Sequence, residues 1–146
     1  MPSTSYEEIL AKDGQVITHV VGSSMEPLLH DRASIVVLQH IDRTKPRKGD
    51  VVLYKNGGIY ILHRVLTENK TEYIIRGDNT YRLETVEKDA VLGVMTGFYR
   101  TAEGRLISRD NTGYWLYCLF LPLIRLVCRV VRKLKRVLYV DRRRKP

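Results

Sequence analysis

Three residues of this 146-residue chain have the types and surroundings that nucleophilic catalysis requires. Ser24 lies in the polar turn Gly22–Pro27, which follows an apolar run and whose small residues leave room for a substrate backbone. His63 is flanked on both sides by strand-type residues, and Asp78 follows the next run of that kind. A serine needs a base to take its proton, and the base needs an orienting partner. The three residues make a candidate acyl-transfer site; the alternative is that each is an ordinary core or turn residue.

The other histidines and the cysteines do not match metal-ligand spacing. His19, His30 and His40 form no HExxH arrangement, and no zinc-type Cys/His pattern occurs. Cys118 and Cys128 would be about 15 Å apart along a helix, which is too far for a disulfide within the chain. We therefore expect no metal and no cofactor.

Short apolar runs separated by turn residues predict the elements that position these side chains. Ser5 and Glu8 have capping-box spacing and Gly14 is a stop, so we expect a short amphipathic helix over Tyr6–Lys12. The tight connections that follow predict a compact, mainly β, antiparallel domain of sandwich or barrel type. Seven β-branched or alternating runs are its expected strands: Val16–Val21, Ala33–Gln39, Val51–Lys55, Ile59–Thr67, Glu72–Arg76, Val91–Arg100 and Arg105–Ser108.

Charge divides the chain into a neutral body and a basic tail. Residues 1–124 carry 15 Lys and Arg against 15 Asp and Glu, whereas residues 125–146 carry 10 against the single Asp141, so the tail holds the whole net charge of +9. This excludes a uniformly basic nucleic-acid-binding domain, and the basic stretch lacks separated aromatic platforms, so no nucleic-acid partner is expected. We predict a β domain at 1–111, with its core at 16–108, and a helical tail at 112–146.

The tail combines an uncharged apolar run with a basic amphipathic pattern. Tyr114–Ile124 would span about 16 Å as a helix, about half a bilayer core. With the aromatic residues at its start, the pattern predicts that 114–145 binds an anionic membrane surface. The alternative is an apolar face packed on the β domain, and Pro122 either begins the basic helix or kinks a longer one. The basic residues share one helical face: Arg125, Arg129, Arg132, Lys133 and Arg136.

The run Gly22-x-Ser24-Met25-x-Pro27-Leu28-Leu29 resembles the nucleophile box of the signal peptidase I family, which consists of membrane-associated serine endopeptidases. The resemblance covers roughly residues 16–99, and an ordered set of motifs is more specific than a single box. Four further stretches follow in the family's order: Lys48-Gly49-Asp50-Val51-Val52, Leu62-His63-Arg64-Val65, Gly77-Asp78-Asn79 and Val91-Leu92-Gly93-Val94.

The resemblance implies the roles of the chemical residues. Ser24 is the expected nucleophile and His63 the general base, at the position where the common bacterial enzymes have lysine; histidine resembles the endoplasmic-reticulum, archaeal and spore-former branch. Asp78 is the expected orienting group, and Glu84 is a second acidic position to which that role is open. The alternative for Glu84 is a solvated surface charge.

The nucleophile box also implies how the turn is built. Some relatives have an oxyanion-binding serine two residues before the nucleophile, where this chain has Gly22, so the backbone N–H of Ser24 is the expected donor. Ser23 either helps at the oxyanion hole or only shapes the turn, and Met25 is expected to pack beneath it.

Taken together, these patterns predict a serine endopeptidase that removes a signal or leader segment from a peptide or preprotein substrate. A self-cleaving peptidase of the repressor clan is the second hypothesis, although about fifteen residues before the first strand leave no room for a DNA-reading module and that clan uses a lysine base. A non-catalytic membrane-surface module is the third. Typical relatives enter the membrane through an N-terminal helix, so anchoring is expected here at the C-terminal segment, with the side of the membrane open.

Overall fold

A computed structural model describes residues 5–142, with side chains described through residue 136. Within this range, the elements follow one another along the chain in the order α1, β1 to β8 and α2, with a short 3-10 turn at Lys88–Ala90 between β6 and β7. The helices are α1 (Tyr6–Asp13) and α2 (Thr112–Arg142). The strands are β1 (Gln15–His19), β2 (Ile35–His40), β3 (Val51–Asn56), β4 (Ile59–Glu68), β5 (Glu72–Arg76), β6 (Glu84–Glu87), β7 (Val91–Tyr99) and β8 (Ile107–Ser108).

The strands form one antiparallel sheet, which confirms the predicted fold class. Its order is β1-β2-β7-β3-β4-β5-β6, and β8 pairs with β7. Each of the seven expected runs overlaps a strand, with bounds that differ by a few residues. Strand β6 was not predicted because Glu84–Glu87 has one apolar residue, Val86, and therefore shows no alternation.

Helix α1 begins and ends as its sequence predicts. The Ser5 side chain accepts from the Glu8 N–H and the Glu8 side chain accepts from the Ser5 N–H, so both halves of the capping box are present. Gly14 ends the helix at φ +72°, a left-handed conformation that favours glycine, and its N–H bonds to the Leu10 carbonyl. Leu10 fastens the helix to the sheet because its side chain is fully buried.

The central strand β3 is buried on both faces and divides the core into two clusters. Val51 and Leu53 pack with Leu38 and Phe98 in the larger cluster, whereas the alternate residues Val52 and Tyr54 pack in the smaller one with Ile75. Because β3 also pairs with a strand on each edge, its backbone is held by hydrogen bonds and its side chains are held by packing on both faces. This rigid strand lies directly beside the candidate base-bearing strand β4.

Helix α2 is continuous through Pro122 and contacts the β domain with one narrow face. Tyr114 and Leu121 are buried in that contact. The alternative in which the apolar face covers the β domain is wrong, because the large apolar residues of α2 lie outside: Trp115, Leu116, Leu119, Phe120, Leu123, Leu126, Val127, Val130, Val131 and Leu134 are all exposed. By length and composition, Thr112–Arg136 also contains a stretch long and apolar enough to cross a membrane.

Candidate active site

The nucleophile turn, Gly22–Pro27, follows strand β1 and contains Ser24. Gly22 has φ +95°, and its N–H donates to Asp31 Oδ1 (2.7 Å), which ties the turn to the following loop. Met25 is buried in the larger core cluster, so it anchors the turn by packing, as expected. The buried Met25 fixes the backbone next to Ser24. Ser24 itself is half-buried, so part of it remains accessible at the site.

A second turn, Gly77–Thr80, supports the first; we call it the supporting turn. The backbone N–H of Asn79 donates to the Ser24 carbonyl (2.8 Å), and the Asn79 side-chain amide donates to the Ser23 carbonyl (3.0 Å). These two bonds, one from the backbone and one from the side chain of Asn79, hold the carbonyl groups of Ser23 and Ser24 in place. Ser23 thus helps to shape the turn through its carbonyl oxygen.

Gly77 lies where the serine and the histidine meet. A Cβ atom on Gly77 would stand 2.6 Å from the Ser24 carbonyl oxygen and 2.9 Å from His63 Nε2. Both atoms are thus within 2.9 Å of one point, so the structure brings the imidazole Nε2 edge to the Ser24 backbone. Only glycine leaves this approach open, because a side-chain carbon at either distance would force backbone or imidazole to move.

The other edge of the imidazole contacts Tyr54 and Glu84. Val52 pairs opposite His63, and Tyr54, two residues further along β3, shares the same face of the sheet. The Tyr54 hydroxyl lies 3.2 Å from His63 Nδ1, and Glu84 Oε2 lies 3.7 Å from it. Tyr54 also donates a short hydrogen bond to Glu84 Oε2. Of the two acidic candidates, Glu84 is the one beside the imidazole.

The hydrogen-bond directions in this chain select one histidine tautomer. Burial raises the pKa of the Tyr54 phenol well above its usual value, and the hydrogen bond and charge of Glu84 raise it further, so the phenol keeps its proton. That proton points to the Glu84 carboxylate, which only accepts. The phenol oxygen is then left to accept from His63 Nδ1–H, and Nε2 carries the free lone pair. The Nε2 lone pair near the Ser24 backbone is free to accept a proton, as a general base must, although the described residues include no hydrogen bond between Nε2 and the Ser24 hydroxyl.

Burial also decides the charge state of the base. Loss of solvent lowers the pKa of His63 below its ordinary value, and the carboxylates of Glu84 and, to a smaller extent, Asp78 act in the opposite direction. The imidazole is therefore neutral at pH 7. A neutral imidazole accepts a proton without first having to lose one.

Asp78 does not contact the imidazole, which corrects the expectation that it is the orienting residue. Arg64 binds both of its carboxylate oxygens, with Nε to Oδ1 at 2.7 Å and Nη2 to Oδ2 at 2.6 Å. The two side chains are 3% and 1% exposed, so the pair is a fully buried salt bridge. Tyr117 donates to Asp78 Oδ2 as well (3.0 Å). With these donors around it, Asp78 is bound to Arg64 and α2, and reaches His63 only through its charge.

Helix α2 also contacts the supporting turn. Arg125 donates to the Gly77 carbonyl (3.3 Å) and makes a short hydrogen bond to the Thr80 carbonyl. Near its start, Tyr114 donates to the Gly49 carbonyl (3.1 Å) and stacks against the Arg64 guanidinium. Helix α2 and the nucleophile turn are therefore held by the same short segment of chain.

The open side of the site is an apolar cleft of about 530 Å³. Ser24 and Met25 lie at its base, and residues 19–21 and 59–62 form its two walls. One wall begins at His19, the last residue of the edge strand β1, and continues through Val20 and Val21 beyond it; the other belongs to Ile59–His63, the part of β4 that pairs with β3 alone among the described strands. Tyr6 and Tyr60 pack edge to face beside the cleft, and both line it.

Sequence reasoning missed Tyr54 and Asn79. Asn79 lies inside the quoted Gly77-Asp78-Asn79 motif, so the motif itself was a sign of its importance. Tyr54 lies in an apolar strand where a tyrosine is ordinary, and only its pairing register with His63 reveals the contact. For the oxyanion, the Ser24 N–H stays the candidate donor: among residues 5–136, whose backbone and side chains are both described, none accepts a hydrogen bond from it.

Comparison with known proteins places the β domain in a family. A model of the family described as Peptidase S24-like matches residues 4–96, well over half of the chain. The matched range includes the nucleophile turn, His63 and the supporting turn, and it ends before α2. No curated protein matches the sequence.

Proposed function

The chain belongs to the Peptidase S24-like family, whose members are largely serine peptidases, and from this we propose that it is a serine endopeptidase that removes a signal or leader segment from a peptide or preprotein. The observation that carries the proposal is the position of His63, with Nε2 towards Ser24 and Nδ1 against Tyr54 and Glu84. This is a serine-histidine pair with a tyrosine-carboxylate support in place of a direct Ser-His-Asp triad.

The proposed mechanism begins with attack by the Ser24 hydroxyl on the scissile carbonyl carbon. His63 Nε2 takes the hydroxyl proton, and the imidazolium that forms is stabilised by the Tyr54 oxygen and the charge of Glu84. The Ser24 N–H donates to the oxyanion of the tetrahedral intermediate. The C–N bond then breaks, His63 returns its proton to the departing amine, and an acyl-enzyme remains. Water attacks this ester with the same base, which releases the acid and restores Ser24.

The cleft supports an extended peptide as the substrate. A strand edge has unpaired N–H and C=O groups, so a peptide between β1 and the first half of β4 can form backbone hydrogen bonds to either wall. Val21 and Ile59, which line the two walls, are large apolar residues that are more than half exposed. Apolar walls suit the apolar segment of a signal or leader peptide.

The second part of the proposal is that α2 holds the enzyme on an anionic membrane surface. The exposed apolar face of α2 provides burial in the lipid interface, and its basic residues provide attraction to anionic headgroups. A surface orientation is favoured over a spanning one because Tyr114, Leu121 and Arg125 contact the β domain, and a spanning helix would have to carry these contacts into the bilayer core. Substrates that emerge at a membrane would then meet the cleft directly.

Self-cleavage is the second candidate function, because the family match is shared with the self-cleaving repressor clan. Purified wild-type protein should separate the two. Self-cleavage would yield a fragment of this chain at a rate that does not change with dilution, whereas an endopeptidase acting on other proteins leaves the chain intact.

The direct test is cleavage of a library of membrane-preprotein peptides, with the new termini identified by mass spectrometry. The proposal predicts cleavage by wild type and by Ser23→Ala, and none by Ser24→Ala or His63→Ala. Cleavage that survives in Ser24→Ala would refute the mechanism. A complete lack of cleavage by folded wild type, with vesicle binding retained, would support a non-catalytic membrane module instead.

A further inference from the structure

A second cavity, of about 460 Å³, lies between the β domain and α2, away from the cleft at Ser24. We call it the seam cavity. The β domain lines it with Lys48, Arg64 and Arg76 and with Gly49, Val65 and Leu66, and Trp115 and Leu119 are among the residues that line it from α2. All of its cationic side chains therefore come from the β-domain wall, which we call the cationic wall, and the wall formed by α2 is apolar.

The cationic wall has more positive charge than the carboxylates around it can neutralise. Arg64 is fully paired with Asp78, but neither Lys48 nor Arg76 has an acidic partner among the described residues. Arg76 pairs directly opposite Arg64 in the sheet, and like charges at such positions repel. Arg125 adds to the repulsion: burial lowers the pKa of its guanidinium, and the nearby charge of Arg76 lowers it further.

One hydrogen-bond donor of this wall lacks an acceptor. Arg76 Nε is buried and has no partner within the described side chains. A buried donor without an acceptor costs about 1–3 kcal/mol, and more when the group is charged. A bound anion would neutralise the excess charge at this wall and offset part of the cost of the buried guanidinium.

The apolar wall extends from the cavity to the outer surface of the protein. Leu121 is buried inside, Pro122 lies beside it, and Trp115 and Leu119 are more than half exposed at the rim. These rim residues belong to the apolar face of α2 that we propose lies in the membrane interface. A ligand with an anionic head and an alkyl chain would match both walls at once.

We propose that the seam cavity binds the phosphate headgroup of a lipid, with the phosphate between Lys48 and Arg76 and an acyl chain along Trp115 and Leu119. Arginine presents several N–H donors in a plane, which suits the oxygens of a phosphate. The inference rests on the membrane association proposed above and adds a specific site to the general attraction of the basic helix. It also predicts that a bound lipid strengthens the contact of α2 with the β domain.

The chain contains one tryptophan, Trp115, which lines both the seam cavity and the neighbouring cavity at Arg47 and Asp110, so its fluorescence reports binding at the start of α2. Arg76 lines the seam cavity and not its neighbour, so the Arg76 variant assigns the binding to the seam cavity. Full-length protein is titrated with dodecyl phosphate below its micelle concentration, with dodecyl maltoside as the neutral probe of equal chain length and with inorganic phosphate. We expect saturable binding of dodecyl phosphate, at least tenfold tighter than either comparison probe. Lys48→Gln and Arg76→Gln should each weaken it at least tenfold, because each removes a charged contact.

The matched controls are Lys70→Gln and Arg105→Gln, which remove the same charge from exposed positions on the β domain, outside the seam cavity and outside α2. They should change dodecyl phosphate binding less than twofold. Lys48 is exposed, so Lys48→Gln keeps the test valid if Arg76→Gln fails to fold, which circular dichroism checks. Unchanged binding in Lys48→Gln overturns the proposal, as does equal binding of dodecyl maltoside; equal binding of inorganic phosphate overturns the lipid as the occupant.

Failure of the site and failure of membrane association are distinguishable. Wild-type sedimentation with phosphatidylcholine vesicles that contain phosphatidylglycerol tests membrane association alone. If the protein sediments with these vesicles but dodecyl phosphate does not bind, the seam cavity is wrong and the surface orientation stands. Dodecyl phosphate binding with no vesicle binding leaves the cavity supported and removes the membrane part of the proposed function.

Discussion

Replacement of Asp78 by asparagine separates a structural role from a catalytic one. Arg64 and Asp78 form a buried pair joined by two charge-assisted hydrogen bonds of 2.7 and 2.6 Å, and Tyr117 donates a third bond to the carboxylate. Asp78→Asn leaves the Arg64 charge buried without a counter-charge and turns one acceptor into a donor. Breaking a buried pair in this way costs about 3–5 kcal/mol, a large part of the 5–15 kcal/mol of a typical domain.

The assay is urea unfolding of the full chain in one detergent, followed by far-ultraviolet circular dichroism. Asp110→Asn is the matched control, because Asp110 forms an ion pair with Arg47 at 2.8 Å in which both side chains are more than half exposed. We expect no measurable loss for this exposed pair. Replacing both buried partners, Arg64→Met with Asp78→Leu, should be less destabilising than Asp78→Asn alone, since no charge is left unpaired.

Two outcomes would refute this account of Asp78. One is a loss of stability below about 1 kcal/mol, which is what an exposed ion pair contributes. The other is a large fall in kcat with stability unchanged, which would mean that Asp78 orients the imidazole as the sequence motif suggests.

Three further predictions concern the base and the acid stability of the fold. Tyr54→Phe should lower kcat/KM about 10²-fold, the lower end of the usual contribution of acid–base catalysis, because it removes the oxygen that fixes the His63 tautomer; an unchanged rate would exclude this role. The acid limb of the kcat/KM profile should lie at a lower pH than an ordinary histidine pKa would give, because burial lowers the pKa of His63. Glu84→Gln should move this limb to a still lower pH, since the Glu84 carboxylate raises the pKa of His63. Glu87→Gln, at an exposed position, should leave the limb in place. Hydrogen bonds from Lys55 and Tyr60 lower the pKa of Glu7 from 4.5 to about 2, so this group stabilises the fold above pH 4.5 and its contribution is lost as the pH falls towards 2. In Glu7→Gln the melting temperature should therefore fall less steeply over that pH interval than in wild type. A curve parallel to that of wild type would contradict the assignment.

The sequence was a good guide to the elements because their determinants are local. The capping box at Ser5 and Glu8 predicts α1, and β-branched runs between turn residues predict seven of the strands. Strand β6 depends instead on pairing with β5, which places Glu84 opposite Ile75. Nothing within its four residues requires a strand, so only the tertiary context forms it.

Only part of the candidate site could be predicted, because the rest depends on contacts between distant elements. The Ser24 and His63 motifs carry the resemblance, and the structure brings the two residues together at Gly77. The partners of the imidazole depend on the β3–β4 register and on the buried Arg64, which binds Asp78. Amphipathic spacing likewise shows that α2 has two faces, but not which of them covers the β domain.

The presence of an activated nucleophile is the claim on which the proposed function depends, and acylation of Ser24 tests it directly. Wild-type protein, Ser24→Ala, Ser23→Ala and His63→Ala are treated with a fluorophosphonate probe in detergent across a pH series, and the labelled residue is identified by mass spectrometry. The account predicts a label on Ser24 alone that survives Ser23→Ala, is lost in His63→Ala and rises as the imidazole loses its proton. A label on Ser23, a label independent of His63, or no label on folded wild type at any pH would contradict it.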